Sequence, residues 1–130
     1  MPLPPVRTKI LLVENQLDAL HACAPGLQQI GYVVDIAVTG AEGLNLALNE
    51  EFDLVAINLD QPGTNGFETA GYLRQDFRYN RIPFLFITER PDAENQRRAG
   101  ELGVTEFLIK PFATSDLILL IVTLVRPVKG

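Results

Sequence analysis

Five polar side chains stand where apolar runs end. Glu14 and Asn15 follow Ile10-Leu11-Leu12-Val13, Asn58 follows Leu54-Val55-Ala56-Ile57, Thr88 follows Phe84-Leu85-Phe86-Ile87, and Lys110 follows Phe107-Leu108-Ile109. The set holds one carboxylate, two carboxamides, one hydroxyl and one ammonium, with Pro111 fixing the chain directly after the lysine. A carboxylate and an ammonium can pair, and the hydroxyl and amides can each donate and accept. Asn58 cannot be a covalent nucleophile, because a carboxamide oxygen is neutral and its nitrogen lone pair is delocalised. Any one of these residues alone reads as a strand-end side chain meeting water. Five at corresponding positions read as one polar cluster against an apolar sheet.

The elements that would hold such a cluster are legible from hydrophobic patterning. Ile10–Val13, Val33–Ala37, Leu54–Ile57, Pro83–Ile87 and Glu106–Ile109 are short runs rich in apolar and β-branched residues, giving five expected strands. Between them lie helical stretches. The first spans about 16–30 and contains Pro25-Gly26, a pair expected to kink or split it. Thr39 and Glu42 form a capping box for a helix over about 40–50. Gly66–Phe77 and Asp92–Leu102 are the third and fourth helices, and Thr114 or Ser115 is the expected N-cap of a fifth that runs to about Val125, before Pro127. Near-continuously apolar strands alternating with helices mean a parallel sheet covered on both faces, an α/β doubly wound domain. Ligand sites in such sheets form beyond the carboxyl ends of the strands, where these five residues lie.

Composition narrows the function classes. With 130 residues, 47% of them hydrophobic, the chain is expected to fold as one domain over 1–130, with its core at about 8–126. A net charge of -5 and a pI of about 4.8 provide no basic stripe for a phosphate backbone, so direct nucleic-acid binding is disfavoured. The single cysteine, Cys23, lies in an apolar segment and excludes an internal disulfide, in keeping with a reducing cytoplasm. The opening Met1-Pro2-Leu3-Pro4-Pro5 carries no apolar signal core, and the run from Leu117 to Val125 is too short to span a bilayer.

From Lys9 to Val125 the chain resembles the receiver domains of response regulators. The likeness rests on the opening strand with its polar pair, Lys9 through Glu14 and Asn15, and on Asp53 through Gly66, a strand and loop of the kind that carries the phosphorylation site. Phe84 through Thr88 matches the strand ending in the switch hydroxyl, and Leu108 through Phe112 the strand ending in a lysine-proline pair. The resemblance implies the flavodoxin-like strand order 2-1-3-4-5 and a signalling module of two-component phosphorelays, not an enzyme. It assigns the acidic metal positions to Glu14 and Asn15, the phosphoacceptor position to Asn58, and the backbone metal ligand to Asp60. The switch positions fall to Thr88 and Phe107, the phosphate-contacting lysine to Lys110, and a candidate cis peptide to Pro111.

Two of the three acidic positions thus hold amides. Phosphotransfer to position 58 is not expected. Magnesium depends on anionic oxygens, so Glu14 beside an amide makes a poor site and no tightly bound metal or other cofactor is expected. With no anion arriving, Lys110 can pair with Glu14, a contact expected near the pocket surface and worth about 0–1 kcal/mol. Glu89 follows Thr88 as a bulky anion that would repel a phosphodonor. The alternative is a working phosphoreceiver that uses Asp60 as a displaced acceptor with magnesium, although Asp60 is expected to face solvent or cap a loop turn. Asp18 reads as a solvated helix-start acid and His21 as a helix residue with no assigned role. A flavoprotein is disfavoured, because Glu14 to Asp18 is not a glycine-rich phosphate loop.

The last helix is apolar all round. Leu117, Leu120, Ile121 and Leu124 form a stripe toward the sheet, and Ile118, Leu119, Val122 and Val125 an outer face that needs a cover. The resemblance places partner docking or dimerisation on helix four, strand five and helix five: a kinase, an output domain or a second copy. The other candidate cover is the proline-rich start.

Overall fold

The computed structural model describes residues 7–14, 17–61 and 65–127, and the side chains of residues 17–21 lie outside that description. Five parallel strands, β1 (Lys9–Val13), β2 (Val33–Ala37), β3 (Leu54–Asn58), β4 (Phe84–Thr88) and β5 (Glu106–Ile109), form one sheet in the order β2-β1-β3-β4-β5. Helices α1 (Leu17–Ile30), α2 (Gly40–Asn49), α3 (Gly66–Arg74), α4 (Ala93–Glu101) and α5 (Thr114–Leu124) fill the crossovers. This is the expected doubly wound α/β sheet.

Side chains on a strand alternate faces, and the sheet divides the core accordingly. Leu11, Val13, Val55, Ile57, Phe84 and Phe86 are buried with Ala47 of α2, Ala70 and Leu73 of α3, and Ala99 of α4. Ile10, Leu12, Leu54, Ala56, Leu85 and Ile87 are buried on the other face with Cys23 and Leu27 of α1 and Leu117 and Ile121 of α5. Residues 54–58 and 84–88 are buried throughout, which is why their sequence is continuously apolar and shows no alternation.

Several helix boundaries depart from expectation for identifiable reasons. α1 runs through Pro25 without a break, so the pair Pro25-Gly26 does not split it. Gly26 serves packing instead: a Cβ there would lie 2.7 Å from Ile118 Cδ1 of α5, so its absence lets the two helices close. α3 ends at Arg74 and not at Phe77. Beyond it, Asp76 accepts from the Arg78 backbone N–H at 2.9 Å and holds the Arg78 guanidinium at 2.8 Å, folding the chain into a turn. The N-cap of α5 is Ala113, not Thr114 or Ser115. Its N–H donates to Asp116 Oδ2 at 3.1 Å, the backward half of a capping box, while the alanine itself offers no side-chain cap.

The outer face of α5 is narrower than the sequence pattern indicates. Ile118, Val122 and Val125 are half-buried and pack against the α1 side of the core, while Leu119 alone of the four is exposed, at 68%. α1 lies against α5 and covers a flank that a helical wheel assigns to solvent. The end of α5 is pinned to the near edge of the sheet, where Tyr32 Oη donates to Val125 O at 2.5 Å and Thr8 Oγ1 to Arg126 O at 3.3 Å. The proline-rich start lies outside the described residues. No described helix is long and apolar enough to cross a membrane.

Candidate functional site

Strand register brings the cluster together. Val13 pairs with Ile57, Asn58 with Ile87, and Thr88 with Ile109, so the four strands of this group end nearly level. Pairing continues past the strand ends, with Leu59 N–H donating to Ile87 O at 2.8 Å and Lys110 N–H to Thr88 O at 3.0 Å. Glu14, Asn58 and Thr88 are 1%, 1% and 0% exposed. Polar side chains buried so completely must find partners within the protein.

They find them in a continuous chain. Asn58 Nδ2 donates to Glu14 Oε1 at 2.7 Å, and Glu14 Oε2 lies 3.4 Å from Lys110 Nζ. The Asn58 carbonyl oxygen accepts from the Asp60 N–H at 2.9 Å. Thr88 Oγ1 donates to Asp60 Oδ1 at 2.7 Å and accepts from the Arg90 N–H at 3.0 Å. The second oxygen of Asp60 accepts from the Glu89 N–H at 2.6 Å. Both ends of the Asn58 amide, both functions of the Thr88 hydroxyl and both oxygens of Asp60 are therefore engaged.

Asn15 lies outside the described residues, as do the side chains of Asp18 and His21, so the second acidic position, the helix-start acid and the lone histidine have no geometry to report. The expected Lys110–Glu14 pair forms, but not at the surface: the two side chains are 10% and 1% exposed. Lysine reaches inward because a carboxylate this deeply buried requires a countercharge. The Lys110–Pro111 bond is cis. Phe107 is half-buried and stacks edge-on against Phe86, with ring centroids 6.0 Å apart, while Phe67 of α3 meets the other side of Phe86 at 5.2 Å. Glu89 is exposed at the mouth.

Asp60 is exposed, as expected of an acid two residues past a strand end. Its carboxylate also crosses from the loop after β3 to the loop after β4, a contact that sequence reasoning did not supply. The signal available was its position two residues beyond a strand end, opposite a threonine that ends the neighbouring strand. Spacing alone does not show which way a loop carboxylate turns.

Among the described residues, no group of three or more histidine, cysteine, aspartate or glutamate side chains converges as a metal site would require. Glu14 offers its oxygens to Asn58 and Lys110, and the amide turns a donor toward Glu14 where a cation would need an acceptor. An N–H and an ammonium on the same carboxylate do not suit a hard divalent cation.

Residues 10–122 match the response regulator receiver domain family. The chain is 35% identical over 118 residues to the probable transcriptional regulatory protein SilR of Salmonella typhimurium, covering 91% of this chain and 51% of that protein. It is 32% identical over 118 residues to the transcriptional regulatory protein CusR of Escherichia coli K12, with the same coverage of both. The chain thus spans about half the length of the curated relatives it matches. Among solved structures, the chemotaxis response regulator CheY4 of Vibrio cholerae superposes with a TM-score of 0.83 at 27% identity, covering 91% of this chain and 98% of that one. The non-phosphorylated HemR receiver domain of Leptospira biflexa superposes with a TM-score of 0.82 at 32% identity, covering 95% and 98%.

Proposed function

The chain belongs to the response regulator receiver domain family, a family of signalling modules and not of enzymes, and from that premise we propose that it signals by binding protein partners without being phosphorylated. The observation that carries this reading is the amide of Asn58 at the phosphoacceptor position. It is 1% exposed, with its nitrogen held by Glu14 and its oxygen by the Asp60 N–H. No carboxylate is present there to attack phosphorus. The donors facing Glu14 support the same reading for the metal, since they occupy the oxygens that magnesium would need. Asp60 is a less suitable acceptor in this reading, because its two oxygens are engaged by Thr88 Oγ1–H and the Glu89 N–H and would have to give up those bonds to turn toward a donor. The cytoplasm is the compartment that belongs with this reading.

Exposure to acetyl phosphate and magnesium is expected to add no acid-labile phosphoryl group to the chain, as read by intact mass. A stoichiometric gain in mass mapped to Asp60 would overturn the reading in favour of a working receiver.

The partner surface belongs to the same proposal. Ile109 of β5 and Leu119 of α5 are 51% and 68% exposed. The occupant we favour is a second copy, meeting the first across a two-fold axis. In sedimentation at several concentrations, wild type is expected to associate and Leu119→Glu to remain monomeric, because a carboxylate buried without a partner breaks a small interface. Circular dichroism should be unchanged, since Leu119 contributes nothing to the core. A wild type that stays monomeric at high concentration excludes the self-association.

A further inference from the structure

At the mouth of the sheet, two hydrogen-bond donors from the β4 end converge on one anion, and that anion belongs to the chain itself. Thr88 Oγ1–H and the Glu89 N–H reach Asp60 Oδ1 and Oδ2 at 2.7 and 2.6 Å. Hydrogen bonds to an ionised carboxylate are shorter and roughly twice as strong as neutral ones, and two donors on two oxygens also fix its orientation. Thr88 is fully buried, and its oxygen already accepts from the Arg90 N–H, so its proton has its direction set. Asp60 is an exposed residue on the neighbouring loop, so the burial of a hydrophobic side chain does not hold it there. What holds it is the pair of donors. A pair of donors converging on one carboxylate is the equipment of an oxyanion cradle.

We propose that Asp60 is an internal stopper: its carboxylate fills a cradle formed by Thr88 Oγ1–H and the Glu89 N–H, and thereby closes to small oxyanions a site that the fold has already built. The loop after β3 and the loop after β4 are consequently tied to each other by a residue of the chain and not by a ligand. The side chain of Thr88 is held in one orientation, and the loop carrying Glu89 and Arg90 is held against Asp60, without any external signal. This closure uses no phosphodonor, and the Asn58 side chain enters it only by accepting from the Asp60 N–H at 2.9 Å.

The test is a titration with inorganic phosphate, and in parallel with formate, followed by the amide resonances of Glu89 and Arg90 in two-dimensional NMR. In wild type the Glu89 amide is expected to be insensitive to either anion beyond the drift that salt alone causes. In Asp60→Ala the Glu89 amide proton is expected to move upfield and to exchange about tenfold faster with solvent, since it has lost a charged acceptor. It should then return toward its original position, saturably, as phosphate or formate enters. Asp60→Asn keeps the shape and removes the charge, and it carries the same test if the alanine variant proves poorly folded. An Asp60→Ala spectrum with Glu89 unmoved, or one that moves but does not respond saturably to either anion, overturns the proposal. Because no phosphoryl donor is present, neither result bears on whether Asn58 prevents phosphorylation.

Discussion

Replacing Lys110 with methionine is expected to lower the folding free energy by about 3 kcal/mol, the loss typical when one member of a buried ion pair is removed and the other charge stays behind. Glu14 is 1% exposed, and the Asn58 amide that also donates to it is neutral and does not replace the countercharge of the lysine. Against the roughly 5–15 kcal/mol that holds an ordinary domain together, that is a large fraction. Urea unfolding of the variant should show an earlier midpoint with an unchanged slope. Adding Glu14→Gln should recover part of the loss, because the stranded charge is then absent, and the double-mutant cycle reads the coupling directly. A single-variant loss below about 1 kcal/mol would instead mean that water screens the pair as it does at a surface.

Arg74→Met is expected to be more damaging, by about 4 kcal/mol, and it lies far from the polar site. The Arg74 guanidinium closes the bottom of the α3, β4 and β5 region. Nε donates to Leu102 O at 2.8 Å, Nη1 to Tyr79 O and Ile82 O at 2.8 and 2.7 Å, and Nη2 to Gly103 O at 3.4 Å. Its plane also lies 4.0 Å from the Phe84 ring centroid. Each charge-assisted bond is worth about 1.5–3 kcal/mol, and removing the donor leaves carbonyls of two loops without their partner. Burial pulls the guanidinium pKa below its usual value, yet arginine stays charged throughout the range in which proteins fold. Arg74→Lys should be intermediate, since an ammonium restores the charge but cannot reach four carbonyls from one plane. Thermal denaturation of the three proteins checks the order, and equal stability of the methionine and wild-type chains would show the loops to be held by other contacts.

β1, β3 and β4 were legible in the sequence because burial on both faces leaves a direct mark, an apolar run of four or five residues, whereas the half-buried β2 and β5 carry Asp35 and Glu106 and were read from their β-branched and aromatic content. The polar cluster was legible for the same reason, since Glu14, Asn58, Thr88 and Lys110 interrupt those runs at corresponding points. Depth was harder to read. Lys110 was expected near the surface because lysine is rarely buried, and its burial follows from Glu14, a long-range partner that hydropathy does not register. The direction of Asp60 depended on a contact between residues 28 positions apart. The exposure of α5 was misjudged because a helical wheel knows nothing of α1, and Gly26, read as a helix breaker, was the packing residue that allowed the approach. The start of α5 was misjudged by one or two residues: the helix begins at Thr114, and Asp116 bonds backward to the Ala113 N–H.

The pinning of the end of α5 sets a communication length. Tyr32 and Thr8 hold Val125 and Arg126 at the edge of the sheet where β1 begins, whereas Glu14 and its partners lie where β1 ends. Five strand residues at about 3.3 Å each put roughly 16 Å between the polar site and the point where the chain leaves α5. A partner bound at this exit from α5 therefore sits at the opposite end of the strands from Asp60, Thr88 and Glu89. If it senses their state, the message is carried as a difference in coupling free energy through the packed sheet and the α1–α5 contact, elements whose two ends must shift together for anything to be transmitted.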